Sequence, residues 1–313
     1  DAAGAEDTAI ALDVSGAVTD SGESLSLSIG DIPEGATLTS GTDSFTATSG
    51  STTADITGWD LANLTITPPA NSDVDFDLNV TATSSEDGTT ASSSGTMTVS
   101  VAADADAPTL TMGTTASGAE DTAIDLPDIT SGLTDTDGSE SLSLSIDGIP
   151  EGATITSGTD TFTATSGSTA VDVTGWDLTS LQITPPADSD ADFTLNVTAT
   201  STEADGGDTA STVGSIAVSV DPDADAPTLN VADVAGLEDS AIALNITAGV
   251  TDDSESITDI TITGVPDGAA LSAGTENPDG SWTLSEAQLT GLTVTPAEHS
   301  DADFDLTIAV TSS

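Results

Sequence analysis

Apolar and polar residues alternate along much of the chain, as in Leu25-Ser-Leu27-Ser-Ile29 and Phe193-Thr-Leu195-Asn-Val197. A period of two puts every second side chain on one face, which is the mark of a half-buried strand. Between positions 109 and 220 the pattern predicts strands at Thr109–Met112, Ala123–Leu126, Ser141–Ile146, Thr154–Thr156, Thr161–Thr165, Leu181–Thr184, Phe193–Thr200 and Ser215–Val220. Gly, Pro, Asp and Ser fill the gaps and supply turns. The proline pairs Pro68-Pro69 and Pro185-Pro186 end a strand sharply, because proline has no N–H for a ladder. Only Ser285–Leu289 suggests a helical turn.

Whole phrases repeat. Ala5-Glu6-Asp7-Thr8-Ala9-Ile10 returns as Ala119-Glu120-Asp121-Thr122-Ala123-Ile124, and loosely as Leu237-Glu238-Asp239-Ser240-Ala241-Ile242. Ile32-Pro33-Glu34-Gly35-Ala36 matches Ile149-Pro150-Glu151-Gly152-Ala153 and Val265-Pro266-Asp267-Gly268-Ala269. A period of about 115 residues is the size of a domain, not of a solenoid unit. Seven or eight short strands in that length predict a Greek-key sandwich. The expected architecture is therefore all-β, with tandem immunoglobulin-like Greek-key β-sandwich domains arranged end to end. Asp104-Ala-Asp106-Ala-Pro108 and Asp221-Pro-Asp223-Ala-Asp225-Ala-Pro227 mark the junctions, giving expected repeats at 1–107, 108–226 and 227–313. The first lacks the opening strand and the third the closing one, so a longer parent is expected.

Charge changes the picture. The chain holds 54 Asp and Glu against no Lys or Arg and one His, a formal charge of −54. No carboxylate can find a lysine or arginine partner. Two carboxylates about 5 Å apart repel by roughly 3 kcal/mol at an effective dielectric near 20. Salt screens scattered surface acids, but dense clusters require bound cations. Acidic chains poor in aromatics are commonly disordered; the sustained alternation argues for strands instead. Nucleic acid and anionic membranes attract basic residues, so neither is an expected partner, and no segment is apolar enough for membrane insertion. With no Cys there are no disulfide staples.

The usual sandwich topology, with strands A to G alternating in direction, locates the acids. The A–B turn, the E–F loop and the exit of strand G share one end, and the B–C and F–G loops share the other. In the second repeat, Glu120 and Asp121 (A–B), Asp188 and Asp190 (E–F) and Asp221, Asp223 and Asp225 (exit) gather at one end. They meet Asp252, Asp253 and Glu255 in the B–C loop of the third repeat. The first junction repeats this with Glu6, Asp7, Asp73, Asp75, Asp104 and Asp106 facing Asp135, Asp137 and Glu140. Flexible multi-oxygen sites suit Ca²⁺, which takes 6–8 oxygens; Mg²⁺ ranks second because it keeps its waters. Zn²⁺ would want Cys or His. The plainer alternative is a set of solvated loop acids. Asp135-Thr-Asp137-Gly138-Ser139-Glu140 resembles the start of an EF-hand loop but lacks its full spacing and distal Glu.

The repeated phrases, with Thr184-Pro185-Pro186-Ala187-Asp188-Ser189-Asp190-Ala191-Asp192-Phe193 and Asp223-Ala-Asp225-Ala-Pro227-Thr-Leu229, closely resemble the extender repeats of giant bacterial RTX-type adhesins. These are cadherin-like or VCBS-type immunoglobulin-like repeats, and the resemblance covers essentially the whole chain. It implies type I secretion, an extracellular place on the bacterial cell surface, and a role in adhesion or biofilm through calcium-stiffened spacing. By position it also implies cadherin-like ligands at Glu120, Asp188, Asp190, Asp223, Asp225 and Asp252, and at their first-junction counterparts. Glycine-rich nonapeptides are absent, so secretion and adhesive segments would lie elsewhere. Expected partners are neighbouring repeats of the same chain and other cell-surface or matrix components.

Other functions compete. Enzyme chemistry is not expected, because the acids sit in repeated loops rather than one cleft and His299 is alone. A carbohydrate- or ice-binding module would want exposed aromatics, whereas the chain has only three Trp, five Phe and no Tyr, and Phe76, Phe193 and Phe304, like Trp59 and Trp176, recur at equivalent, core-like positions. A surface-layer or filament-forming structural protein made of the same repeats stays open.

Overall fold

The computed structural model describes every residue except Asp205 and Asp253. The alternation resolves into pairs of sheets. In the second repeat, strand F (Phe193–Glu203) lies antiparallel between strand C (Glu140–Asp147) and strand G (Thr209–Asp221). A short strand A′ (Thr115–Ala119) runs parallel to G on its outer side, and Val171–Asp172 extends the other edge beyond C. The facing sheet orders Ile124–Asp125, Gln182–Thr184, Thr154–Ser157 and Asp160–Thr163. Strand Thr109–Met112 pairs with Ile129–Gly132 as a ribbon beside them. The first repeat rebuilds both main sheets, its five-stranded one from Ala2–Ala5, Thr89–Ala102, Phe76–Glu86, Ser24–Gly30 and Ala54–Asp55. The chain is thus all-β, of tandem immunoglobulin-like sandwiches. Among the described residues, no helix is long and apolar enough to cross a membrane.

Side chains from the inner faces of each sandwich form three separate hydrophobic clusters. Leu38, Ile66 and Leu78 centre the first, and Ile155, Ile183 and Leu195 the second. The third is thinner: Ile260 and Ile262 are fully buried, but Leu306 is only partly covered. Phe76, Phe193, Phe304, Trp59 and Trp176 pack against these clusters, as their recurrence predicts.

In the second repeat, three strands escape the alternation rule. Thr115–Ala119 has only small side chains and is a strand because G offers it a parallel edge. Gly118 lets it lie against the core, since a Cβ there would sit 2.8 Å from Ile124; Gly4 stands in the same relation to Ile10 at 2.7 Å. Ile129–Gly132 and Val171–Asp172 are too short to show a period. Conversely, F and G run further than predicted because Ser and Thr carry the hairpin beyond the core, out to Thr202 opposite Thr209. The expected helical turn is a 3₁₀ turn, Glu286–Leu289, started by Gln288 accepting the Ser285 N–H at 2.8 Å. A second 3₁₀ turn, Leu61–Asn63, is capped by Asp60.

Each cluster draws its residues from one repeat, so damage should stay local. Leu195→Ala is expected to destabilise by about 2–5 kcal/mol, the range for a buried leucine. Hydrogen exchange should speed up across the strands of the second repeat while the amides around Leu38 and Ile66 keep their protection.

Candidate metal centres

The junction acids are held in place by backbone bonds that recur with the sequence repeat. Glu6 closes the A–B turn of the first repeat, its own N–H donating to the Ala102 carbonyl at the end of strand G. Its Oε1 accepts the N–H of Asp104, 2.9 Å away in the linker. Glu120 does the same with Asp221 and Asp223. Two residues on, the linker changes hands: Asp106 N–H donates to Glu140 Oε1 at 2.7 Å, and Asp225 N–H to Glu255 Oε1 at 2.6 Å. The carbonyls of Asp106 and Asp225 accept the hydroxyls of Ser201 and Ser312 in the next repeat. One linker amide is therefore tied to the repeat behind, and the next to the repeat ahead.

These bonds use one oxygen of each glutamate and leave the other without a partner. Among the described residues, the buried side-chain oxygens lacking any hydrogen bond are Glu6 Oε2, Asp106 Oδ2, Glu140 Oε2, both oxygens of Glu203, Glu120 Oε2, Asp225 Oδ2 and Glu255 Oε2. All are carboxylate oxygens, and all lie at the two junctions. A buried polar atom left unpaired costs about 1–3 kcal/mol, and more when charged.

At the first junction, Glu6, Asp135 and Glu203 bring one oxygen each within 4.8 Å of one another, and all three are 1–2 % exposed. At the second, Asp121, Asp188 and Asp225 form a comparable trio closer to solvent. Oxygens around one Ca²⁺ lie 2.3–2.6 Å from it, so opposed ligands stand about 4.6–5.2 Å apart. Both trios fit that sphere.

Glu203, at the end of strand F, was not among the candidates read from the sequence. Its signal was present: Glu86 and Glu203 end the matching phrases Thr81-Ala-Thr-Ser-Ser-Glu86 and Thr198-Ala-Thr-Ser-Thr-Glu203. Asp190, Asp221, Asp73, Asp75 and Asp137 belong to neither trio. Asp75 instead accepts the Val101 N–H at 2.8 Å, as Asp192 does for Val220. Asp137 holds the B–C loop by accepting from Ser139, and that bond, with one from the Asp73 backbone across the junction, keeps its carboxyl below the usual range. Asp252 is buried and tied to Ser254. Asp7 accepts the Asn71 N–H, and Asp121 that of Asp188, each at 3.1 Å. Asp104, Asp223 and Glu255 contribute through the linker bonds above; Asp253 lies outside the described residues.

Electrostatics follows the geometry. Loss of hydration pushes Glu6 up to about 7, against the lowering effect of the Asp104 N–H and with further repulsion from Asp135, Asp7 and Glu203. Burial also raises Glu203, helped by Glu140 and Asp135. Asp106 is raised by burial and by Asp7, Asp135 and Asp104. Asp225 is raised by burial and by Asp188, Asp121 and Glu255. Protons or cations must supply the missing positive charge.

No protein-family model matches the sequence, and no curated protein matches it. Several solved structures are similar to it at a low level. The EC1-4 segment of Drosophila N-cadherin is 11% identical over 99% of this chain and 71% of its own, with a TM-score of 0.27. The chicken CNTN1 FN1-FN3 domains are 12% identical over 99% and 92%, with a TM-score of 0.27. FdeC, an Escherichia coli adhesin, is 16% identical over 95% and 82%, with a TM-score of 0.21. Likeness at this level says nothing of ligand or partner.

Without divalent ions, the raised Glu6 carboxyl makes the junction sensitive to pH. The folded state holds its proton more tightly than the unfolded chain, so this contribution is full below about 4.5 and lost as pH rises through about 7. A carbon-detected NMR titration in chelator should place the Glu6 midpoint near 7. A midpoint in the ordinary glutamate range would refute the burial of this group.

Proposed function

We propose that the chain is a stalk segment of a large extracellular bacterial adhesin, of the RTX-type, type I secreted class, in which calcium joins consecutive sandwiches into a stiff rod. The repeats would divide at 1–107, 108–226 and 227–313, so that both linkers run through acid clusters. The observation that carries this reading is the address of the orphaned carboxylate oxygens: among the described residues, every one is at a junction. Solvated loop acids would be exposed and would not converge from distant segments. Structural acids would have partners.

Glu6, Asp135 and Glu203 would hold one ion, joined by Glu140 and Asp106; Asp121, Asp188 and Asp225 would hold another, joined by Glu120 and Glu255. Bound there, Ca²⁺ supplies the positive charge that these carboxylates lack. In each set the ligands come from two consecutive repeats, so binding also fixes their relative orientation. Ligand binding to the folded state alone stabilises it by about 2.7 kcal/mol at a hundredfold excess over Kd. Where calcium is scarce, repulsion keeps the joints loose. We read the chain as non-enzymatic, since its chemistry lies in repeated joints rather than a single cleft.

Small-angle scattering and thermal melting, with calcium and then with chelator, test the proposal. Strands rise about 3.3 Å per residue, so three sandwiches in line should span roughly 120 Å. Calcium should give that maximum dimension with a raised Tm, and chelator a broader distribution with a lower Tm. Glu203→Gln with Asp135→Asn should weaken calcium binding at the first junction at least tenfold and leave the second nearly intact. An unchanged maximum dimension and Tm would contradict the reading.

A further inference from the structure

The E–F loops of the three repeats turn at one matching left-handed position, filled by Asn71 (φ 53°), Asp188 (φ 53°) and His299 (φ 61°). Asn and Asp enter this region more readily than other side chains. Each of the three donates its own N–H to the Asp of the neighbouring A–B turn. Backbone and local bonding are shared, and only the side chain changes. At the first joint it is an amide, and it reaches into the next repeat: Asn71 Nδ2 donates to the Thr134 carbonyl at 3.1 Å. Only the NH₂ end can serve there, because a carbonyl accepts and does not donate. Thr134 in turn donates its hydroxyl to the linker carbonyl of Ala107 at 2.6 Å. Two residues beyond Asn71, the Asp73 backbone bonds to Asp137 in the same B–C loop. The E–F loop, the linker and the B–C loop are thus tied together by bonds that need no ion.

The second joint has the same turn and the opposite chemistry. Thr251 stands where Thr134 does, one residue before the first Asp of the B–C loop. Asp188 stands where Asn71 does, and an ionised carboxylate has acceptors only, so it cannot donate to a carbonyl. One of its oxygens instead lies within 4.8 Å of oxygens of Asp121 and Asp225. The exchange sits well inside the chain, in a loop between Gln182–Thr184 and Phe193–Glu203.

We propose that Asn71 is a cation-independent latch across the first joint, replaced at the second by an acid that needs a cation. As divalent ions become scarce, the segment loosens first at the second joint and bends there. The proposal rests on the calcium reading of the joints and adds an order to it. A hydrogen bond, net of competition from water, favours the state that makes it by roughly two- to tenfold. The Asn71 and Asp73 bonds form together when the joint closes, so their effects multiply. Exchanging Asn for Asp acts twice in one direction. It removes the donor, and it adds a carboxylate beside Asp7, which already accepts the backbone N–H of that residue. One turn position thus decides whether a joint is held by the chain itself or by what it binds.

The chain has no Cys, so introduced cysteine pairs take spin labels without competition. In the full chain, Ser44→Cys with Thr161→Cys reports the first joint, and Thr161→Cys with Ala287→Cys the second; all three positions are exposed. Pulsed electron paramagnetic resonance in chelator should give a distance distribution about half as wide at the first joint as at the second, and calcium should narrow both. Asn71→Asp suits the fold, since Asp188 holds the same φ, and Asn71→Gly keeps the turn while removing the donor without adding charge. Each variant should widen the first-joint distribution about twofold in chelator and leave the second unchanged. Equal widths at the two joints of the parent chain would overturn the latch. So would a first joint that Asn71→Gly leaves narrow, because the effect of Asn71→Asp would then belong to added charge alone. Calcium that narrows neither joint would overturn the calcium reading instead, and the chelator widths would still decide the latch.

Discussion

A carboxylate buried among other carboxylates needs a counter-charge, and a chain with no Lys or Arg has none of its own to give at these joints. Three sandwiches could fold around their apolar cores without meeting that demand. They could not sit end to end without meeting it, because the linker places Glu6, Asp135 and Glu203 within 4.8 Å of one another and out of reach of solvent. Proton uptake answers it in one way, and the raised carboxyl of Glu6 is that answer. A hard divalent cation would answer it in another, with the spare oxygens supplying part of the 6–8 that Ca²⁺ takes. The two would compete for the same atoms, so a joint that binds protons more tightly than usual would also offer ligands to an ion.

The backbone supports the acids rather than the reverse. Asp104 and Asp223 donate backward, Asp106 and Asp225 forward, and a serine hydroxyl from the next strand F anchors the second carbonyl of each pair. The two joints still differ, at one turn position among others. Asn71 donates its side-chain amide to the Thr134 carbonyl across the first joint, at 3.1 Å. Asp188 fills the same left-handed turn position at the second, where it joins the acidic trio instead. The first joint thus exchanges one charge for a direct contact and draws on a buried glutamate. His299 takes the equivalent place in the third repeat, its N–H donating to Asp239 as those of Asn71 and Asp188 donate to Asp7 and Asp121.

Much of this was legible in the sequence because period-two alternation, turn residues and repeated phrases all pointed to the same sandwich. Thr109–Met112 has the predicted bounds, and Phe193–Glu203 the predicted start. What escaped was whatever depends on a partner. Thr115–Ala119 has no pattern of its own and is a strand only against G. The convergence of the A–B turn, linker and B–C loop could be drawn from topology alone, and the bonds among Glu6, Asp104, Asp106 and Glu140 follow it. Glu203 was missed because it ends a strand rather than sitting in an acidic run. Asp75 was read as a junction acid, although in the fold its first task is to accept a strand G amide.

Crystals of the chain grown with calcium, with anomalous differences measured at long wavelength, address the central claim most directly. The account predicts a peak inside each trio, with oxygens of Glu6, Asp135 and Glu203, and of Asp121, Asp188 and Asp225, about 2.3–2.6 Å away. Carboxylates in these same positions with no anomalous peak between them, or peaks only on exposed loops far from both linkers, would contradict it.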